Sequence, residues 1–492
     1  MNFAISAAVA ILAVVLTIAL RTRRRLREKG FPPGPDPLPL LGNVHQVNST
    51  CPRLTFTEWK RVYGDIVYCS MLGREFVIVN SEKVAEDLMD KRSRNYSNRM
   101  DMYGLISDTV SLNHDDLWRA HRRVLQQTLR PEALVVYRHT QLRCAATLLQ
   151  NLHDTPSSWW GHIRTFSAAT IMGAMYDHDL PADPKDDKAF CTVVEGKDLK
   201  VHLGSLGMIS LLTVFPMLKY VPTWFPVGRY MNAAKFVRAM DEMIETPYDI
   251  LQKRTATGEA RPCVISEALS KFQDDSKLDN VEQVIKHASG EETVGSNKLL
   301  LYQYSPTSLA CKTGSTLLTF TLAMVLHPHV QKLAQDEIDK VIGVDRLPYF
   351  NDKPDLPYLE AVFRETLRWR PVAPLGIPHA ATNEDVYEGY YIPKGNRFIN
   401  FIRAMAQDKN KYPSPDTFDP SRFFDSDGQL TNDTCEFVFG FGRRVCPGRH
   451  FAQASVWTAM AHILATFSIL RDNDASGEPI EPAPDWAEGV TW

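Results

Sequence analysis

The 492-residue chain lacks the cysteine spacing of a zinc-binding or disulfide-bonded protein. No CxxC pair occurs, and the eight cysteines are scattered along the sequence. They are Cys51, Cys69, Cys144, Cys191, Cys263, Cys311, Cys435 and Cys446. The spacing predicts neither a structural metal site nor a disulfide framework, and most of these thiols are expected to be buried.

An excess of positive charge is missing as well, since the formal net charge is -3. We therefore expect no nucleic-acid partner. The sequence contains no internal repeat, no low-complexity tract and no Gly/Ser linker beyond residue 43. One large, mostly helical domain is the simplest interpretation.

One long apolar run stands at the N-terminus. Residues 3–20 carry no charge, and their 18 positions are just enough to span a bilayer. Basic residues follow directly at Arg21, Arg23, Arg24, Arg25, Arg27 and Lys29. This order favours a transmembrane anchor with a cytosolic body. A cleaved secretory signal is disfavoured because its basic residues would precede the apolar run.

A basic and proline-rich linker is predicted at residues 21–43. Five prolines fall within residues 31–43, FPPGPDPLPLLGN, and exclude a helix there. The body, residues 44–492, is dominated by helical periodicity. Amphipathic helices are predicted at 327–343 and 356–371, and strands at 74–80 and 390–395.

Ten residues at 439–448, FGFGRRVCPG, concentrate three glycines, two arginines and one cysteine. Glycine lets another group approach the backbone closely. Arginine stabilises a nearby thiolate and pairs with carboxylates. We interpret the stretch as a rigid loop that presents the thiol of Cys446 to a bulky, anionic, metal-containing group.

Three further motifs precede this loop. Glu365 and Arg368 are spaced i,i+3 on the predicted helix 356–371. Arg422 lies in the proline-bearing stretch TFDPSRF. Trp118 and Arg122 are spaced i,i+4, one helical turn apart.

With these four motifs in this order, the sequence resembles the cytochrome P450 superfamily. The haem-loop pattern F-x-x-G-x-R-x-C-x-G is met at every fixed position of 439–448, and E-x-x-R and W-x-x-x-R are met as well. The flanking text resembles fungal membrane-anchored monooxygenases of secondary or xenobiotic metabolism. The resemblance covers residues 31–492. It implies a mostly α fold with small β-sheets, forming a single haem-binding domain behind one transmembrane helix.

The resemblance also implies roles for particular residues. Cys446 would be the proximal thiolate of a haem (heme) iron, the metal ligand, in a loop shaped by Phe439, Gly440, Gly442 and Gly448. Arg444, Trp118, Arg122 and His379 would hold the haem propionates. Glu365, Arg368 and Arg422 would form a buried salt-bridge network. Residues 203–226 and 371–379 would line the substrate pocket, although plain core packing explains them equally well.

The sequence departs from the family pattern at the oxygen-activating helix. The acid–alcohol pair that delivers protons has two competing placements: Glu292 and Thr293 in SGEET, or the later ACKTG, where Cys311 and Lys312 replace acid and alcohol. Pro306 would break a helix through this span. Removing residues 295–314 restores one continuous helical pattern, so we expect either a translated intron or a looped-out insertion. The final stretch 486–492 resembles a pocket-lining turn, and we expect the last sheet to be incomplete.

The function implied is a haem-thiolate monooxygenase that hydroxylates a hydrophobic small molecule with dioxygen. Its electrons would come from NADPH–cytochrome P450 reductase, with cytochrome b5 as an optional second donor. The implied location is the endoplasmic reticulum membrane, single-pass, with the catalytic body in the cytosol. Two alternatives stay open: an oxygen-independent haem-thiolate isomerase or dehydratase, and a non-catalytic paralogue.

Overall fold

The structure is a computed structural model. It describes residues 29–48, 51–99, 109, 112–181, 186–187, 189, 233–273, 275, 280–298, 312–473 and 476–480. At 233–240, 243 and 290–298 only the backbone is described. The predicted anchor at 3–20, the pocket stretch at 203–226 and the C-terminal turn at 486–492 lie outside these residues.

Most of the described chain is helical, as predicted. The longer helices are Pro52–Tyr63, Asp116–Thr128, Arg138–Asp154, Trp159–Tyr176, Ala233–Thr257, Val264–Phe272, Val281–Lys298, Lys312–Leu326, Pro328–Val341, Pro357–Trp369 and Arg449–Thr466. Shorter helical segments are Glu82–Ala85, Glu86–Lys91, Ser93–Tyr96, Pro131–Leu134 and Ile402–Ala406. Where the structure describes the chain, no helix is both long and apolar enough to cross a bilayer.

The described residues divide into two compact units. The first takes in residues up to 100 together with 373–408 and 440–445. The second takes in 101–372, 409–439 and the residues from 446 onward.

The first unit contains both small sheets. Its strands are β1 (Ile66–Met71), β2 (Arg74–Val79), β3 (Asn98–Arg99), β4 (His379–Ala380), β5 (Asp385–Tyr387), β6 (Tyr390–Ile392) and β7 (Arg397–Asn400). Five strands pair in the order β1-β2-β7-β4-β3, and β5 pairs with β6. The hairpin β1–β2 turns at Leu72 and Gly73, which both have positive φ. β2 then pairs in parallel with the distant β7, from Phe76↔Arg397 to Val79↔Asn400.

The second unit is a helical assembly around an apolar core. Some of its helices bury one face, whereas the helix Arg449–Thr466 is buried at every position from 455 to 464. Val124, Leu125, Ile265, Ile285 and Ala288, from three of these helices, are at most 1% exposed and belong to one cluster. Burial of such faces is the main stabilising contribution to the unit.

The sequence predicted the bounds of two amphipathic helices closely. The prediction for 327–343 is confirmed as Pro328–Val341, and that for 356–371 as Pro357–Trp369. Both begin with proline, whose missing N–H costs nothing in the first turn. Gly343 follows the first helix at φ +80°, a conformation that glycine adopts readily. The predicted strands at 74–80 and 390–395 are also present, the second as the shorter β6.

Candidate functional site

Cys446 lies at the end of a loop made of two tight turns. The first turn is Glu436–Phe439 and the second Gly442–Arg444, and the helix Arg449–Thr466 follows Gly448. The backbone N–H of Cys446 donates to the carbonyl of Phe439 at 2.9 Å. Arg449 Nη1 donates to the Cys446 carbonyl at 3.3 Å. These bonds fix the backbone on both sides of the thiol.

The exposure of Cys446 sets it apart from the other cysteines that the structure describes. Cys446 is half-buried, whereas the remaining five described cysteines are buried. Burial raises the pKa of the thiols of Cys69, Cys144, Cys263 and Cys435, which keeps them protonated at neutral pH. A cysteine that ligates a metal does so as the thiolate. Those four thiols are therefore poor candidates, and Cys446 is the best placed of the six.

Glycine is required at position 442 by the backbone and by its neighbours. Gly442 has φ +54°, and a Cβ there would lie 2.1 Å from the carbonyl oxygen of Met89. Gly440 also has a positive φ, +86°. Gly448, in contrast, has φ -83° and is buried at the start of the following helix. Its conformation is open to other residues, so the reason for glycine there is not conformational.

The first unit brings Arg444 and His379 together with an arginine that sequence reasoning missed. Arg444 Nε donates to the carbonyl of Ser97 at 2.8 Å, and His379 Nδ1 lies 2.8 Å from the carbonyl of Tyr96. Arg99 on β3 is the direct strand partner of His379 on β4. All three side chains are buried. Arg99 Nη1 donates to the carbonyls of Ile377 and Pro378 at 2.8 and 3.1 Å.

Burial, together with the neighbouring positive charges, determines the protonation of His379. Burial lowers its pKa well below the ordinary value, and the positive charges of Arg99 and Arg444 lower it further. The imidazole is therefore neutral at pH 7, and its Nδ1 proton points to Tyr96. Nε2 then lacks a proton, so donation from His379 to a propionate would require uptake of a second proton.

Trp118 and Arg122 lie together in the second unit. They occupy successive turns of the helix Asp116–Thr128, and their side chains are 5% and 7% exposed. Asp115 caps this helix, because its carboxylate accepts the backbone N–H of Trp118 at 2.9 Å. Next to Arg122, the buried His121 is hydrogen-bonded to Thr109 at 2.7 Å. The cap and this hydrogen bond fix the helix that carries both predicted donors.

The predicted salt-bridge network is present in the second unit. Arg368 contacts Glu365 through Nε and Nη2 at 2.6 and 2.7 Å, and both side chains are fully buried. Arg422 Nε lies 3.2 Å from the same carboxylate. The backbone N–H of Asp419 donates to Glu365 Oε1 at 2.8 Å. One carboxylate therefore holds a helix and the loop 413–422 together.

The oxygen-activating span is described only in part. Glu292 and Thr293 lie on the helix Val281–Lys298, at positions where the side chains are not described. A second helix begins at Lys312 and carries the buried Thr313. Pro306 and Cys311 lie outside the described residues. Both placements of the acid–alcohol pair therefore remain predictions.

The comparisons with known proteins decide the family. The family model described as Cytochrome P450 matches residues 32–490, which takes in both compact units. The chain belongs to the cytochrome P450 family. This membership confirms the expected mostly helical fold with small sheets, and it confirms haem as the cofactor.

Curated relatives of this P450 are fungal monooxygenases. Cytochrome P450 monooxygenase 176 of Postia placenta is 35% identical over 97% of this chain and 91% of its own length. Tryptamine 4-monooxygenase of Psilocybe cyanescens is 35% identical over 93% of this chain and 90% of its own. Cytochrome P450 monooxygenase claR of Ampulloclitocybe clavipes is 32% identical over 97% of this chain and 87% of its own length. The chain is accordingly a haem-thiolate monooxygenase, an oxidoreductase that incorporates oxygen, and no relative named here is an isomerase or a dehydratase.

The described residues fit a haem in chemical type. A haem-thiolate protein needs a thiolate for the iron and hydrogen-bond donors for the two propionates. Cys446 is a half-buried cysteine, and the side chains of Arg444, Arg99, Trp118 and Arg122 offer only donors. The chemistry of this donor set matches an anionic macrocycle.

Proposed function

We propose that Cys446 is the proximal ligand through which this P450 activates dioxygen. The observation that carries the proposal is the contrast between its half-buried thiol and the buried, protonated thiols of Cys69, Cys144, Cys263 and Cys435. The hydrogen bond from its N–H to Phe439 supports it, because it fixes the backbone that aims the sulfur. Bound haem supplies the binding and reductive cleavage of dioxygen. Cys446 would donate electron density that favours this cleavage.

We further propose that four side chains hold the propionates: Arg444, Trp118, Arg122 and His379. Arg99 joins them as a positioning residue for His379. The arginines and the indole are buried donors, and such donors are favoured partners of carboxylates. His379 would take up its second proton only beside a negative charge, which counteracts the effect of Arg99 and Arg444.

Proton delivery is assigned to Glu292 and Thr293 on sequence grounds. A carboxyl group can relay a proton from solvent, and an alcohol can hand it on by hydrogen bonding. Both residues lie on one helix and are adjacent in the chain. Thr293→Ala in the haem-loaded enzyme should raise the NADPH consumed per product formed, with the reduced, carbon-monoxide-bound spectrum unchanged.

The substrate we propose is a hydrophobic small molecule, hydroxylated with electrons from NADPH–cytochrome P450 reductase. P450 monooxygenases generally use reductase partners and hydrophobic substrates. The proposed organisation is an anchor at 3–20, a linker at 21–43 and a haem domain at 44–492, on the cytosolic side of the endoplasmic reticulum membrane. The apolar run and its basic flank support the anchor.

A carbon-monoxide difference spectrum of the full chain, expressed with haem supplied, tests the ligand. A thiolate-ligated ferrous haem gives a strongly red-shifted band. Cys446→Ser should abolish this band, whereas Cys144→Ser, at a buried thiol in the same unit, should retain it. A band that survives in Cys446→Ser would overturn the assignment.

A second set of experiments tests whether residues 295–314 belong to the working enzyme. The structure places residues 295–298 at the end of the helix Val281–Lys298 and residues 312–314 at the start of the helix Lys312–Leu326, so the stretch overlaps both helices. Full-length mRNA that encodes all twenty residues would contradict an intron. A variant without 295–314 that alone gives the thiolate band would show that the stretch prevents haem loading.

A further inference from the structure

A strained turn precedes the cysteine loop. Cys435 has φ +55°, a left-handed backbone conformation that residues other than glycine rarely adopt. Its backbone N–H donates to Asp433 Oδ1 at 3.1 Å, and its carbonyl accepts the N–H of Val438 at 3.2 Å. The turn therefore depends on the position of Asp433. Without an anchor on Asp433, the strain at Cys435 would favour a different path for the chain.

Tyr412 supplies an anchor for Asp433. Its hydroxyl donates to Asp433 Oδ2 at 2.6 Å and lies 3.7 Å from the sulfur of Cys435. Burial raises the pKa of both Tyr412 and Cys435, so both groups keep their protons. Lys411 Nζ adds a charged contact to Asp433 at 3.3 Å. A hydrogen bond from a buried phenol to a carboxylate is among the stronger ones in proteins.

The same cluster is attached to the helix Pro357–Trp369. The guanidinium carbon of Arg368 lies 5.3 Å from the centre of the Tyr412 ring. Arg364 Nη1 donates to the carbonyls of Thr431 and Asp433 at 2.8 and 3.2 Å. The backbone and the carboxylate of Asp433 are therefore both held by the framework around the buried Glu365–Arg368 pair.

The other end of the cluster reaches the thiol. Cys435 leads directly into the turn Glu436–Phe439. The carbonyl of Phe439 accepts the backbone N–H of Cys446 at 2.9 Å. A change in the turn at Asp433–Cys435 would move Phe439 and, through this hydrogen bond, the backbone that carries the sulfur.

We propose that Tyr412 is a positioning residue for the thiolate, acting through Asp433, Cys435 and Phe439. The inference rests on the proposed role of Cys446. A role in stability alone would make Tyr412→Phe lower the unfolding midpoint and leave the haem ligation unchanged. A positioning role changes the ligation in protein that is still folded.

The test compares Tyr412→Phe with Tyr248→Phe in the full chain. Tyr248 is a matched control, because it is buried in the same unit and its hydroxyl donates to the Glu282 carboxylate at 3.0 Å. The readouts are the carbon-monoxide spectrum, the haem reduction potential and the thermal midpoint. Tyr412→Phe should raise the ratio of the shorter-wavelength, thiolate-free band to the thiolate band about tenfold, as expected for loss of a charge-assisted hydrogen bond.

Several outcomes would decide against the inference. If the ratio and the reduction potential of Tyr412→Phe match those of Tyr248→Phe, Tyr412 is structural only. If Tyr412→Phe yields no haem protein, Asp433→Asn decides by the same ratio, since it keeps one of the two acceptor oxygens and removes the charge. An unchanged ratio in Asp433→Asn would overturn the inference. A haem-loaded unsubstituted chain that gives only the shorter-wavelength, thiolate-free band would overturn the role of Cys446, and the inference with it.

Discussion

Glu365 and Arg368 form a two-point ion pair inside the second unit. Nε and Nη2 of the arginine lie 2.6 and 2.7 Å from the two carboxylate oxygens, and neither side chain is exposed to solvent. Two charges removed from water in this way are stabilised only by each other and by their hydrogen bonds. The pair therefore commits the helix Pro357–Trp369 to one position against the loop 413–422.

Arg368→Ala should destabilise the protein by about 3–5 kcal/mol, because it leaves Glu365 buried beside Arg422 alone. Urea unfolding followed by circular dichroism measures the change. The chain offers a matched control in Arg61→Ala. Arg61 pairs with Glu58 at the same i,i+3 spacing and 2.6 Å, but the two side chains are 75% and 57% exposed. That substitution should destabilise the protein far less, because water and salt screen an exposed ion pair. An equal loss of unfolding free energy in Arg368→Ala and Arg61→Ala would show that burial of the ion pair is unimportant.

Gly442→Ala should disrupt the cysteine loop. The left-handed φ of +54° alone costs an alanine about 1–2 kcal/mol. The Cβ would also lie 2.1 Å from Met89 O, so the backbone must move. Gly73→Ala separates the two effects, since Gly73 has φ +76° and open space around its Cβ position. We expect reduced haem content in Gly442→Ala only, measured as the haem absorbance per protein. Similar haem content in the two variants would contradict this.

His462 should contribute to acid sensitivity. It is buried and hydrogen-bonded to the Pro348 carbonyl at 3.0 Å, and burial lowers its pKa below 6.5. The unfolded chain then binds the proton more readily, so stability is lost as pH falls below 6.5. His462→Gln should flatten the fall in unfolding free energy between pH 7 and 5, by at most about 1.4 kcal/mol per pH unit. An unchanged slope would mean that His462 titrates alike in both states.

Glu337 should act in the opposite direction. Its carboxylate accepts the backbone N–H groups of Tyr358 and Leu359 at 2.8 and 2.9 Å, in the first turn of the helix Pro357–Trp369. Burial raises its pKa above 4.5, against the smaller lowering effect of these two bonds. The folded state thus binds the proton more readily, and stability falls as pH rises from 4.5 through the raised pKa.

Two substitutions distinguish the bonds of Glu337 from its charge. Glu337→Ala leaves two N–H groups without their acceptor and should cost about 1–3 kcal/mol at pH 7. Glu337→Gln keeps one acceptor oxygen but has no charge. It should therefore lower the unfolding free energy less than Glu337→Ala, and it should remove the fall of unfolding free energy with rising pH above pH 4.5. Unfolding free energies at pH 7 and 5 measure both. Equal costs for the two variants would exclude a contribution from the hydrogen bonds.

The features that the sequence predicted best are those whose residues lie close together in the chain. The i,i+3 separation of Glu365 and Arg368 placed both on one helix face, and flanking prolines bounded that helix. The ten-residue loop around Cys446 was recognisable because its residues are contiguous. The contact between Arg422 and Glu365 was predicted only from the family resemblance. The two residues are 57 positions apart, and no periodic pattern in the sequence indicates a contact at that separation.

Other contacts had no signal in the sequence. Arg99 meets His379 because β3 pairs with β4, and two-residue strands leave no alternating pattern. Tyr412 reaches Asp433 across a loop. The acceptors of Arg99, Arg444 and His379 are backbone carbonyls, which every residue possesses. The side-chain types were readable, but their partners depend on how distant segments fold together.

The parallel pairing of β2 with β7 has a consequence for synthesis of the chain. β2 leaves the ribosome within the hairpin β1–β2, but its other partner follows about 320 residues later. At about 5–20 residues per second, the edge of β2 waits roughly 15–65 s for β7. An unpaired strand edge can pair with other chains during that time. The first unit is thus completed only after β7 and residues 440–445 have been synthesised, and until then a chaperone that covers the open edge of β2 would protect it from other chains.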